Sequence, residues 1–224
     1  GAFVNKKVLK IASGNNHSLA LTSEGHLYSW GFGGYGRLGH KEQKDEFSPR
    51  MIDMFSHRLV LPLDASIACG GMYSFATIKG GQLYVWGKIK MTGDSIMYPK
   101  PLFEISGWTI RSISCGATTA AVASERSAIT WGTALYQELG YGPKGKKSSA
   151  NPAKVDSLEG KLVHEVAACT GGILFLVDEK EDVSSFEEWK APENVTPRKK
   201  ETGTKRKGGA TRGRGRGRGG KRGR

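Results

Sequence analysis

Leu19 and Leu21 alternate with Ser18, Ala20 and Thr22, and Ser23-Glu24-Gly25 then turns the chain into His26-Leu-Tyr-Ser-Trp30. Apolar alternation on both sides of a turn cluster predicts a β-hairpin. In a second unit the turn is Lys79-Gly80-Gly81, where glycine supplies the positive φ of a tight reversal. Ala20 and Ala76 share one face of their strands and would let neighbouring sheets approach closely.

The hairpin belongs to a repeat. Ile11-Ala-Ser-Gly-Asn-Asn-His-Ser-Leu-Ala-Leu-Thr22 returns as Ile67-Ala-Cys-Gly-Gly-Met-Tyr-Ser-Phe-Ala-Thr-Ile78 and more weakly as Ile113-Ser-Cys-Gly-Ala-Thr-Thr-Ala-Ala-Val-Ala123, with a fourth echo from Val166-Ala-Ala-Cys169. Trp30-Gly31, Trp86-Gly87 and Trp131-Gly132 close the second run, placing the tryptophans 16, 16 and 15 residues beyond Gly14, Gly70 and Gly116. Those six glycines and tryptophans are the structural framework of the repeat. Spacings of 46 to 56 residues suit one small antiparallel sheet per unit, and sheets repeated radially make a propeller. The fourth unit keeps Ile173-Leu-Phe-Leu-Val177 and then turns acidic and polar, and Trp189 is followed by Lys190 instead of glycine. Three repeats and a partial fourth leave sheet edges that a closed ring would remove, so the remaining blades are expected upstream of Gly1.

Tyr28-Ser-Trp-Gly-Phe-Gly-Gly-Tyr-Gly-Arg-Leu-Gly-His40 resembles the blade signature of the regulator of chromosome condensation family. Phe32 to Glu46, Met97-Tyr-Pro-Lys100, Gly107-Trp-Thr-Ile-Arg-Ser112 and Glu138-Leu-Gly-Tyr-Gly142 extend the likeness across residues 1–178. It implies an all-β fold, the C-terminal half of a seven-bladed β-propeller. It also implies a nuclear or nucleolar protein, on chromosomes and the spindle midzone in mitosis, that contacts microtubule or centromere components and binds a small Ras-like GTPase, with a role in nucleotide exchange. No residue here matches the surface loop by which an exchange factor displaces nucleotide, so the resemblance carries over no catalytic residue. The expected reading is a non-enzymatic interaction scaffold.

Charge divides the chain. Arg198 to Arg224 holds thirteen Lys and Arg against Glu201 alone, so this tail carries +12 of the formal +13 and the preceding body is nearly neutral. Any electrostatic argument for nucleic acid therefore belongs to the tail. The organisation expected is propeller blades over 1–178, an acidic linker over 179–197 and a disordered Arg/Gly-rich tail over 198–224. Such a tail buries too little apolar surface to offset its ordering entropy. Arg212, Arg214, Arg216, Arg218 and Arg222 can reach phosphates and stack on bases along a flexible backbone, which makes RNA the alternative partner and a nucleolar RNA-associated protein the alternative function. Lys205-Arg206-Lys207 is a candidate nuclear-import signal. Thr196, in Thr-Pro-Arg-Lys, is a candidate phosphorylation site whose phosphate would neutralise the start of the tail.

Enzyme-like motifs fail on context. Gly31-Phe-Gly-Gly-Tyr-Gly36 fits G-x-G-x-x-G, but no helix follows as a dinucleotide site requires. Gly140-Tyr-Gly-Pro-Lys-Gly-Lys-Lys147 has Lys147 where a P-loop needs Ser or Thr, and Pro152 interrupts the expected helix. His17 shares its repeat slot with Tyr73 and Thr119, which points to packing or hydrogen bonding. Cys69, Cys115 and Cys169 lack metal-ligand spacing and read as small buried residues of a reducing compartment. Asn194-Val-Thr196 is a glycosylation sequon that the absence of a signal segment argues against. No cofactor, metal, membrane or small-molecule substrate is expected.

Overall fold

The computed structural model describes residues 1–56, 59–90 and 93–188. Residues Gly1–Asp182 form one compact unit. Its first sheet is a meander of β1 (Val8–Ser13), β2 (His17–Thr22), β3 (Leu27–Gly31) and β4 (Glu46–Met51). The second repeats it with β5 (Ile67–Cys69), β6 (Tyr73–Thr77), β7 (Leu83–Gly87) and β8 (Ile96–Pro101), and the third with β9 (Ser112–Cys115), β10 (Thr119–Ala123), β11 (Ala128–Gly132) and β12 (Ser149–Lys154). A fourth sheet has two described strands, β13 (Val163–Ala168) and β14 (Ile173–Val177). All ladders are antiparallel. The protein is all-β, and its four sheets are arranged as propeller blades.

The first strands of successive sheets stand side by side, stitched where Ser112 and Ser114 hydroxyls accept from the backbone amides of Val166 and Ala168. Period-two alternation then decides which side chains face which neighbour. Leu19, Leu21 and Leu27 of the first sheet, with Ile52 and Phe55, pack against Cys69, Ala76 and Trp86 of the second. Phe75, Leu83 and Val85 of the second sheet pack in the same way against Ala120, Ile129 and Trp131 of the third. The core between the first three sheets is thus divided into two seams, with a tryptophan on the receiving side of each.

Among the described residues, the outlying faces lack such partners. Trp30 is half-buried, with the edge of Phe3 at a centroid distance of 6.2 Å, whereas Trp86 and Trp131 are fully buried. On β14, Leu174 and Leu176 occupy the repeat positions of Leu19 and Leu21 but are 74% and 59% exposed. Cysteine burial follows the same logic. Cys69 lies in a seam, where burial pushes its thiol up to about 12, but Cys169, expected to be buried, is exposed at the end of β13 in the last sheet.

Beyond Asp182, the described residues contain one turn, in which the Phe186 amide donates to the Val183 carbonyl at 2.9 Å. Trp189, Thr196, the import candidate Lys205-Arg206-Lys207 and the tail arginines Arg212, Arg214, Arg216, Arg218 and Arg222 lie outside the described residues.

Candidate interaction site

The Trp-Gly pair at the end of each third strand aims the chain into the loops of one face. Gly31, Gly87 and Gly132 all have positive φ, at 110°, 95° and 124°. The following amides, of Phe32, Lys88 and Thr133, donate to the carbonyls of Asn16, Met72 and Thr118 at 2.8, 2.8 and 2.9 Å. One hydrogen bond per blade thereby ties the loop after the third strand to the loop between the first two. Gly14, Gly70 and Gly116 sit at the other end of that loop, each amide donating to the carbonyl of His17, Tyr73 or Thr119.

The first blade's long loop carries Phe32 to Asp45. Arg37, only 2% exposed, donates from Nε to the Gly34 carbonyl at 2.9 Å and from Nη1 across the seam to the Gly71 carbonyl at 2.7 Å. Its guanidinium lies 4.8 Å from the Phe32 ring centre and 5.7 Å from that of Tyr35. This is a clamp between two blades that the glycine-rich reading of the segment passed over. Asp45 accepts from the Gly33 amide and the Gln43 side chain from the Tyr35 amide, while in the third blade Glu138 accepts from the amides of Leu135 and Tyr136. The Gly142–Gly145 part of the third-blade loop closes as a turn and leads into β12, not into a helix.

These braced loops present large apolar side chains to solvent. Phe32, Tyr35, Leu135 and Tyr136 are all exposed, and Tyr35 and Tyr136 stand in equivalent places, each three residues before a fully buried leucine, Leu38 or Leu139. Aromatic side chains held on a rigid frame are suited to anchoring a partner, because little side-chain entropy is lost on contact.

His17 is structural. Its Nε2 lies 2.7 Å from Ser74 Oγ, and Ser74 donates its own proton to the Arg37 carbonyl at 2.9 Å. Histidine must therefore donate from Nε2, which leaves Nδ1 unprotonated, and Nδ1 has no partner among the described residues. Burial, with Arg37 nearby, lowers the His17 pKa to about 4. Tyr73, in the same slot one blade on, donates to the Thr119 carbonyl at 2.8 Å, so the slot stitches each blade to the next.

The depressed His17 pKa has a sign. The unfolded chain takes up this proton near pH 6.5 and the folded protein only near 4, so stability is complete above the first value and lost as the pH falls toward the second. Urea unfolding at pH 7 and pH 5 should differ by about 2 kcal/mol from this group. His40, also lowered by burial, adds in the same direction. His17→Gln should remove most of the difference, and an undiminished pH effect in that variant would refute the assignment.

Among the described residues no group of three His, Cys, Asp or Glu is placed to hold a metal ion, and no helix is long and apolar enough to cross a membrane. Two forms of the regulator of chromosome condensation (RCC1) repeat match residues 24–77 and 8–37. Protein RCC2 of Mus musculus is 39% identical over 197 residues, which cover 87% of this chain and 37% of that protein. The chain belongs to the regulator of chromosome condensation repeat family. Its blades also match the crystal structure of human WBSCR16, with a TM-score of 0.65 and 25% identity over 79% of this chain and 46% of that one. Prp20p from Saccharomyces cerevisiae, a structure described together with its binding to Gsp1p and histones, shares the fold at a TM-score of 0.63 and 21% identity, over 79% of this chain and 45% of that one. The chain spans little more than a third of the length of Protein RCC2, so the family likeness extends to part of that relative only.

Proposed function

We propose that this chain is part of a non-enzymatic propeller scaffold that binds a small Ras-like GTPase and mitotic chromosome or spindle structures in the nucleus. The observation that carries this reading is the 39% identity to Protein RCC2 over 87% of the chain. Loops braced by Arg37, Asp45 and Glu138, with Tyr35 and Tyr136 held outward, support a binding role for the blade face. Retention of a nucleotide-free small GTPase on the immobilised protein is the expected result. Failure to retain any across a panel, with the blades shown to be folded, would overturn the GTPase part. Nucleotide release measured in the same samples reports whether binding also alters exchange.

A second reading rests on the tail, where thirteen basic residues and the Arg212–Gly219 alternation give contact to RNA that is weakly sequence-specific and steeply salt-dependent. In this reading Lys205-Arg206-Lys207 directs nuclear entry, the protein concentrates in the nucleolus, and phosphorylation of Thr196 loosens the anionic partner. Deleting residues 198–224 should abolish crosslinking to RNA in cells. Crosslinking that persists at the parental level would sink this second reading without touching the first.

A further inference from the structure

Two prolines of the chain follow a serine or threonine, Pro49 after Ser48 and Pro197 after Thr196, and arginine comes next in both, at Arg50 and Arg198. A kinase that reads the proline behind its target therefore meets the same kind of string twice. Thr196 lies outside the described residues, whereas Ser48 sits in the folded blades, on the outermost strand of the first sheet, β4. The strand leaves its ladder at this point. Glu46 is paired with Gly31 and Arg50 with Ser29, so Phe47, Ser48 and Pro49 stand opposite Trp30 alone and bulge from the sheet. Phe47 is 97% exposed, Ser48 is exposed, and no hydrogen bond holds the Ser48 hydroxyl among the described residues. An extended segment on an open edge is within reach of another protein.

Tyr98 and Asn151 hold the place of Ser48 in β8 and β12, each directly before a proline. Their side chains are engaged. Lys100 Nζ lies 5.0 Å from the centre of the Tyr98 ring, and Lys90 Nζ donates to Asn151 Oδ1 at 2.9 Å. The reach of Lys100 bears on Ser48, because Lys100 is paired with Val85 as Arg50 is paired with Ser29. A basic side chain at this position can extend back to the residue before the proline. Arg50 is otherwise occupied: its Nη1 donates to Glu42 at 2.5 Å and to Glu46 at 2.7 Å.

We propose that Ser48 is a phosphorylation site of the folded blades and that its phosphate draws Arg50 away from Glu42. In the transfer, the serine oxygen bonds to the γ-phosphorus of ATP, the bond from that phosphorus to the β-phosphate oxygen breaks, ADP leaves, and the hydroxyl proton passes to the kinase's catalytic base. Phosphoserine carries a charge of about −1.5 to −2 at pH 7, more than either carboxylate, and offers arginine a bidentate partner. It also repels Glu42 and Glu46. Attraction of Arg50 and repulsion of Glu42 act in one direction, which is to release the Glu42 end of the first-blade loop. Gln43 is next in the chain and its side chain accepts from the Tyr35 amide at 3.0 Å, so the change is delivered to the loop that presents Tyr35. The proposal rests on neither the GTPase nor the RNA reading.

The test has two arms. In the first, the folded 224-residue chain is incubated with ATP and a purified proline-directed kinase that needs no basic residue after the proline, and the phosphates are located by tandem mass spectrometry. Phosphate is expected at both Ser48 and Thr196, and Ser48→Ala should lose one of the two. In the second, phosphoserine is placed at position 48 during translation, so that the kinase plays no part, and the ¹⁵N spectrum is compared with that of the unmodified chain. The amides of Tyr35, Glu42 and Gln43 should shift, and Arg50→Gln should abolish most of that shift. Absence of phosphate at Ser48, its appearance only in urea-unfolded chain, or loop shifts as large in Arg50→Gln as in the parent would each overturn the proposal. Neither a GTPase nor nucleic acid is present in either arm, so those partners stand or fall by their own assays.

Discussion

Trp86→Ala should lower the free energy of unfolding by about 4 kcal/mol, the range for emptying a large aromatic site in a packed core. Trp86 is fully buried, lies with its ring centre 5.7 Å from that of Phe55, and shares its seam with Leu19, Leu21, Leu27 and Ile52. Removing it opens the contact that joins the first blade to the second. Trp30→Ala provides the control, since Trp30 holds the same repeat position but is only half-buried, with no neighbouring blade on its face among the described residues, and its loss should cost less than half as much. Trp86→Phe should recover most of the stability, because the indole N–H that it discards has no acceptor among the described residues. Urea unfolding followed by circular dichroism reads all three variants. Equal losses for Trp30→Ala and Trp86→Ala would show that position in the repeat, and not burial in a seam, sets the cost.

Gly87→Ala should be nearly as damaging, at about 3 kcal/mol, although it adds a single methyl group. At φ 95° an L-residue is strained, and the added carbon would lie 2.3 Å from the Met72 carbonyl oxygen and 2.7 Å from the Tyr73 Cα. Both obstacles are backbone, so no side chain can swing away. Relief would require breaking the Lys88-to-Met72 hydrogen bond that aims the second-blade loop. Gly80→Ala is the matched control. Its φ is similarly positive, at 83°, but a carbon there meets nothing within 4 Å, leaving strain without collision. The difference in urea midpoint between the two variants therefore isolates the collision. If Gly80→Ala proved as destabilising as Gly87→Ala, the close approach to Met72 would have no energetic weight.

Much of the inner half of each blade is visible in the sequence, for a physical reason. In the first three sheets the second and third strands are mostly buried, so their composition is constrained and their glycines and tryptophans recur at fixed spacing. The fourth strands were not visible. Glu46-Phe-Ser-Pro-Arg-Met51 and Ser149-Ala-Asn-Pro-Ala-Lys154 lie at the rim, have little apolar alternation, and contain a proline that argues against a central strand. The candidate site was half legible. Repeat comparison placed His17 in a packing slot, but Arg37 was hidden inside a string that reads as a flexible glycine-rich loop, and its role emerged only when the Gly71 carbonyl was found across the seam. Cys169 shows the converse. A residue at a repeat position takes on that position's burial only when a neighbour is present to supply it.

Pro49, Pro99 and Pro152 occupy matching places in β4, β8 and β12, the outermost strands of the three complete sheets. An outer strand faces nothing on one side and would ordinarily offer its free amides as a template for another chain's backbone. Proline has no amide proton, and its ring stands in the way of an incoming strand, so each rim lacks a donor near its middle. Growth of these sheets by strand addition is thereby discouraged, whether by a partner peptide or by aggregation. Recognition through the blades is left to side chains on loops and in the clefts between sheets, where sequence can change without disturbing the ladders.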